Sequence, residues 1–264
     1  MNNLLESPQK YTFSNQLTAH AIQVQSFAGL SNALSQVGLH HKRPTLVLVG
    51  GAGGISQDDM NHLQRLFVQE IAPIAQALGL AVIDGGTDAG VMRLMGQART
   101  EIGGTFPLIG VAAVGTVILP DVPPPSPEAA ALEPNHSHFV LVPGSNWGDE
   151  SSWIAHIASV VSEGCPSLTL VINGGEITLQ DVGHSVQVGR AVVTVDGSGR
   201  TADKLAAALR GEVIDCRVSQ LVASELVQAI NLRQSFACFA QVIEEIWASF
   251  ALRVESERSL TITC

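Results

Sequence analysis

The chain has 264 residues, 46% of them hydrophobic and only 14% charged, with a formal net charge of −10. Such a composition excludes a disordered chain and provides enough apolar surface for a substantial core. Few cations and an acidic balance speak against binding a nucleic-acid backbone, which needs clustered Lys and Arg.

The four cysteines, Cys165, Cys216, Cys238 and Cys264, are scattered and form no CxxC. That spacing gives no zinc site and fits a reducing, cytoplasmic setting. Residues 1–20 carry no apolar signal-like core. The longest apolar run, Phe106–Pro120, is broken by Gly and Pro and is shorter than the roughly 20 residues of a membrane helix. A membrane-free protein is expected.

In chain order, Ala21–Val24 is a candidate extra strand and Leu30–Val37 a candidate extra helix. Thr45–Val49 (TLVLV) reads as a strand buried on both faces. It ends in Gly50-Gly51-Ala52-Gly53-Gly54. Ser56 then caps a helix whose apolar face is Met60, Leu63, Phe67, Ile71 and Ile74. Leu80–Ile83 is the next strand. A helix marked by Val91, Met95, Ala98 and Ile102 follows, then a strand at Leu108–Val111. Leu119–Pro127 holds too many prolines for helix or central strand and is a surface connector or a lid. Phe139–Val142, Leu168–Ile172 and Ala191–Val195 are further strands. Helices follow them at Trp153–Val161, about 178–188 and about 201–209. Residues from about Ser219 to Ser249 read as one or two more helices. The tail Leu260–Thr263 is β-prone.

Strands alternating with helices predict an α/β, Rossmann-like, doubly wound and mostly parallel sheet with helices on both faces. The chain reads as one domain, with a core over about 20–210 and a helical extension over about 211–264.

Five of the strands end in turns rich in Gly or small polar residues: GGAGGIS, GGTDAG, PGSNWGDE, NGGEIT and DGSGRTAD. In a parallel sheet these turns share the carboxyl edge, where doubly wound folds bind ligands. Glycine admits a ligand close to the backbone, and helix N-termini suit phosphate. The residues expected nearest a ligand are Gly51, Ala52, Gly53, Gly54, Ile55 and Ser56; Gly85, Gly86, Thr87, Gly90, Val91 and Met92; Gly115, Gly144 and Asn146; Gly174, Gly175, Glu176 and Thr178; and Asp196, Gly197, Ser198, Gly199 and Arg200. Gly50–Ser56 lacks the Lys-Ser/Thr pair of a Walker A loop. Asn135, His136 and His138 lie in EPNHSHF. Phosphate or base contact, metal binding with Glu133, and local hydrogen bonding are all open to these histidines, and no third clear metal ligand accompanies them. Arg200 suits either a bidentate phosphate contact or an ion pair with Asp203. Trp147 suits stacking on a base or ordinary packing. No serine has a GxSxG context.

VIDGGTDAGVM, EPNHSHF, the NGG turn and VTVDGSGRTAD occur in an order that resembles the LSDAT family. This is the SLOG-superfamily domain found in prokaryotes and in the cytoplasmic N-terminal region of TRPM cation channels. The resemblance spans about residues 20–210. It implies a Rossmann-like fold, a pocket for a nucleotide-derived ligand such as ADP-ribose or NAD, and a sensor role more readily than a catalytic one. The wider superfamily includes nucleotide phosphoribohydrolases whose signature meets this chain at Asn173–Asp181. There Asn173 replaces Pro and Ile177 replaces Gly, and Asp181 stands where that family has Glu. A hydrolase reading would use Asp181 or Glu176 as its carboxylate. Ile230, Leu232, Phe236, Phe239 and Ile243 suit assembly of a homo-oligomer under either reading.

Overall fold

The computed structural model describes residues 7–51, 53, 55–233 and 240–248. Ala52, Gly54, Phe236, Phe239 and the Leu260–Thr263 tail lie outside the described residues.

The elements alternate as the sequence predicts. They run β1 Gln9–Thr12, β2 Thr18–Gln23, α1 Leu30–Gln36, β3 Thr45–Gly50, α2 Gln57–Leu66, α3 Ala72–Ala77, β4 Ala81–Asp84, α4 Gly90–Glu101, β5 Leu108–Ala113, β6 Val117–Ile118, β7 Ala130–Ala131, β8 His138–Val142, α5 Ser151–Val161, β9 Ser167–Ile172, α6 Glu176–Gln187, β10 Ala191–Asp196, α7 Arg200–Leu209, α8 Cys216–Val222 and β11 Val227–Asn231. Nine strands form one sheet in the order β1-β2-β8-β5-β4-β3-β9-β10-β11. Only β1 runs antiparallel, against β2.

Two layers of apolar side chains make the core. One, with Val47, Val49, Ile83, Val111 and Val171, packs under α1, α5 and α6. The other, with Leu46, Leu48, Val82, Leu170 and Val193, packs under α2, α3 and α4. Alternate residues of β3 face opposite layers, and β4 and β5 are buried along their whole length. This explains why these strands read as continuous apolar runs.

Ser56 caps α2 as predicted, accepting from Asp59 N–H at 3.2 Å. The expected helix from Met60 to Ile74 passes through a π-helical turn at Phe67–Ile71. Pro73 follows at the start of α3 and has no N–H to continue an i to i−4 ladder, so the register changes there.

The C-terminal reading needs correction. Where one or two helices are expected from about Ser219 to Ser249, α8 spans Cys216–Val222 and β11 adds a ninth strand. Residues 240–248 are helical. β11 closes the open edge of β10, with Val192 opposite Val227 and Ile230 opposite Val195. Val227 and Ile230 are three apart, which fits a helix face as well as this edge strand with its uneven burial. Ile230, Leu232 and Ile243 are buried in the chain's own core, so their apolar surface is not free for subunit assembly. The proline-rich 119–127 segment is a surface loop whose base is tied by the β6–β7 pair. No helix among the described residues is long and apolar enough to cross a membrane.

Candidate functional site

The chain leaves β3 for β4, β5 and β8 on one side, then returns to place β9 on the other side of β3. The crevice at the carboxyl ends of β3 and β9 is therefore the switch point of the sheet, the usual ligand position in an open α/β fold. Backbone approach there is close. Gly50 has φ 142°, and a Cβ on it would sit 1.9 Å from Ile172 O. Only glycine fits at this junction.

A cavity of about 400 Å³ opens over it. From the expected residues, Gly51, Gly85, Thr87, Met92, Gly174, Gly175, Glu176, Thr178, Asp181 and Arg200 line it. Leu48, Val49, Gly50, Ala112, Thr116, Trp147, Glu150, Ile154 and Ile177 complete the wall. Its size is that of a small-molecule site. No residue of the 119–127 loop lines it.

One end suits an anion. α6 starts at Gly175 without a side-chain cap, leaving first-turn N–H groups unclaimed, whereas the Thr201 and Ala202 N–H groups of α7 donate to Gly174 O (3.2 Å) and Asn173 O (3.1 Å). Arg200 holds φ 51°, and its guanidinium lies against Gly175 and Gly53, so that a Cβ on Gly175 would meet Nη2 at 2.8 Å. Among the described residues Arg200 has no hydrogen-bond or ion-pair partner. Asp203 is not its mate, because Oδ1 of Asp203 accepts from Gly197 N–H (2.8 Å) and Gly199 N–H (3.0 Å). A polar cavity of about 280 Å³ adjoins this end. It shares Gly174, Gly175, Glu176 and Arg200 with the first and adds Lys204 and Arg217.

The other end is acidic. Asp181, on the second turn of α6, is 8% exposed, and Glu150, just before α5, is 9% exposed. Burial raises the Asp181 pKa, the Ser151 hydroxyl beside it offsets part of that rise, and the Glu150 charge adds to it. The net effect pushes the group up to about 7. Burial also raises Glu150, against the hydrogen bonds from backbone N–H groups including that of Gly148. Asp181 Oδ1 and Ser151 Oγ are both shielded from solvent, and the Ser151 hydroxyl is the hydrogen-bonding neighbour of the carboxyl. Glu176 differs: it lines the cavity but is held in a two-point ion pair by Arg217.

Asn173 was not among the residues expected to contact a ligand, yet it joins three of the turns. It is buried, with φ 55°, a left-handed conformation that Asn tolerates better than most residues. Its N–H donates to Ser198 Oγ (2.8 Å). Its Nδ2 donates to Ser198 O (2.8 Å) and Gly53 O (3.4 Å), and its Oδ1 accepts from Gly174 N–H (2.6 Å). The polar residue ahead of the glycine pair in NGG was the available signal. Trp147, whose sequence suits stacking or packing, and Glu150, in the same turn, both line the cavity.

The remaining expected residues lie outside the cavity wall. Ile55 packs on the core and Val91 is buried in it. Ser56 serves α2, Gly90 opens α4, and Gly86 packs on Gly110 and Phe139. Gly115 N–H donates to Gly144 O at 2.9 Å. Asn146 stands at an exposed turn whose N–H groups, with that of Ser145, donate to Asp149 Oδ2. Asp196 pairs with Arg210 at 2.9 Å, and Ser198 Oγ donates to Val195 O.

EPNHSHF supports the site from behind. His136 is fully buried between Asp84 Oδ1 (2.9 Å from Nε2) and Glu133 Oε2 (2.8 Å from Nδ1). Burial alone lowers its pKa, but the two carboxylates outweigh that and push it up to about 9. Both ring nitrogens then donate, as an imidazolium requires. Asp84 Oδ1 also accepts from Gly86 N–H at 2.8 Å, fixing the turn that carries Gly85 and Thr87. Asn135 binds Glu133 through its own N–H at 2.9 Å. His138 is brought down to about 4, chiefly by burial and then by His20. Its neutral ring donates from Nε2 to Val37 O at 3.1 Å and accepts at Nδ1 from Ser137. No cluster of three or more metal-ligating side chains occurs among the described residues.

Comparison with known proteins agrees with this architecture. The family described as "SLOG in TRPM, prokaryote" (LSDAT) matches residues 43–240. The chain is 27% identical over 238 residues to the mouse transient receptor potential cation channel subfamily M member 2, covering 75% of this chain and 16% of the channel. It is 26% identical over 245 residues to a subfamily M member-like 2 protein of Nematostella vectensis, covering 79% of this chain and 16% of that protein. The likeness is thus to about a sixth of each channel. A family match across three quarters of the chain, on a mostly parallel sheet with its cavity at the switch point, leads to one conclusion: this chain belongs to the prokaryotic SLOG-in-TRPM (LSDAT) family.

Proposed function

We propose that the protein is a cytoplasmic binding protein, or sensor, for a nucleotide-derived small molecule of the ADP-ribose or NAD type. One observation carries this reading. At the switch point, an unpartnered guanidinium and the uncapped start of α6 face a cavity floored by glycine backbone. Those groups together suit a phosphate. The adjoining cavity with Lys204 and Arg217 leaves room for a second phosphoryl group. Trp147, 44% exposed at the wall, offers a face to a base.

A hydrolytic reading has a narrower basis. Asp181 is buried and titrates near neutrality, as a general acid in glycosidic cleavage would. Glu176, committed to Arg217, is the weaker candidate for that carboxylate.

Native mass spectrometry of the purified protein, followed by denaturing extraction, tests both readings. Co-purifying ADP-ribose or NAD supports binding. Free base and ribose phosphate, appearing only with active protein, support cleavage. An empty protein that shows no thermal shift with any of a panel of nucleotides would sink the nucleotide reading.

A further inference from the structure

Three cavities meet at one side chain. Glu176, the first residue of α6, lines the switch-point cavity, the polar cavity beside it, and a third of about 340 Å³ between α6 and α8. The polar cavity is unusual in its charge. In a chain with 14 Lys and Arg and a net charge of −10, it gathers Arg200, Lys204 and Arg217 around the Gly174–Gly175 backbone. Glu176 is the one acid among its described lining residues. Cations brought together this way repel one another unless an anion lies among them.

Arg200 and Lys204 make no hydrogen bond or ion pair among the described residues. Arg217 differs, because its two Nη groups reach both carboxylate oxygens of Glu176, Nη2 at 3.3 Å. Asp215 does not take that role. Its Oδ1 caps α8 by accepting from Arg217 N–H (2.9 Å) and Val218 N–H (3.0 Å). A carboxylate in two-point contact with a guanidinium occupies the fork that a phosphate would use. Both side chains are more than half exposed, so the pair contributes little to the fold and neither group is trapped in it. Glu176 also stands at the N-terminus of α6, the other feature that favours an anion here. Its carboxylate and an incoming phosphate therefore compete for one cation and one helix start.

Resting on the nucleotide reading of the cavity, we infer that Arg217 is the specificity-determining residue for a second anionic group of the ligand, and that Glu176 is its resident stand-in, released when that group enters between Arg200, Lys204 and Arg217. The ligand class this fits carries two neighbouring anionic groups, as a nucleoside diphosphate does.

Calorimetric titration with ADP-ribose at fixed salt tests this in four proteins: wild type, Glu176→Gln, Arg217→Ala and the double variant. Glu176→Gln should tighten binding about fivefold or more, because Arg217 no longer has to be freed. Arg217→Ala should weaken it about fivefold or more. In the Arg217→Ala background, Glu176→Gln should gain about twofold at most, since no cation is left to release. A pair that merely fastens α8 to α6 would weaken binding, or leave it unchanged, when cut at Glu176. A plain long-range repulsion by Glu176 would give equal gains in both backgrounds. Either result would overturn the inference, and so would an Arg217→Ala protein that binds as tightly as wild type. Failure of ADP-ribose to bind any of the four proteins would instead overturn the nucleotide reading, and this inference with it.

Discussion

Two buried carboxyl clusters sit within one fold, and they are built differently. Asp84, His136 and Glu133 form a closed chain in which a cation lies between two acids and the hydrogen bonds reach back to the Gly86 and Asn135 backbone. Asp84 Oδ2 is the one oxygen of that chain without a partner. Asp181, Glu150 and Ser151 have no cation among them, and the hydrogen bond that acts on Asp181 comes from the Ser151 hydroxyl. The first cluster supports a turn. The second lines a cavity at Asp181 and Glu150. A cation held between the acids, rather than burial, separates the two clusters.

Breaking the first cluster should have the largest effect. His136→Ala leaves two carboxylates buried without their cation and should cost about 3–5 kcal/mol of stability, read by denaturant unfolding. A variant as stable as wild type would mean the imidazolium is not needed. Asn173→Ala removes the side-chain bonds that join three turns and should cost about 1–3 kcal/mol. It should also weaken nucleotide binding, because Gly53, Gly174 and Ser198 lose their common tie.

The second cluster should respond with the opposite sign. Asp181→Asn removes a buried ionisable group that no cation faces and should stabilise the protein by about 1–3 kcal/mol at pH 8. The gain should be smaller at pH 5, where the carboxyl is already protonated. A loss of stability at pH 8 would show that Asp181 is a structural group after all. Arg200→Ala should change stability least, within about 0.5 kcal/mol, while weakening nucleotide binding about tenfold or more.

The two clusters should also separate by pH. His136 is raised from 6.5 to about 9 in the folded protein, so its contribution is whole below pH 6.5 and is lost as pH rises through about 9. Asp181 is raised from 3.8 to about 7, so its contribution is lost in a lower window, as pH rises from about 4 through about 7. Thermal melts of wild type against Asp181→Asn should differ in slope only in the lower window. A difference confined to pH 7–9 would contradict this assignment.

Much of the frame was legible because β3, β4, β5, β8, β9 and β10 are apolar runs ending in glycine or small polar turns, and parallel strands with covered faces must look that way. β1 was not legible. Only Tyr11 of its four residues is buried, and its pairing with β2 is a matter of backbone. β11 was misread as helix because its two buried residues are three apart. In the site, glycines announced the anion end. The division of labour among the acids and histidines was hidden, since the pairing of His136 with Asp84 spans 52 positions. Likewise, nothing in the sequence of Glu150 distinguishes a helix-end charge from a cavity wall.

The most direct test of the account is a crystal structure of the protein soaked with ADP-ribose. The account predicts a phosphate over Gly51 and Gly175 within bidentate reach of Arg200. Ligand density elsewhere on the molecule, or an ordered cavity left without ligand at saturating ADP-ribose, would contradict it.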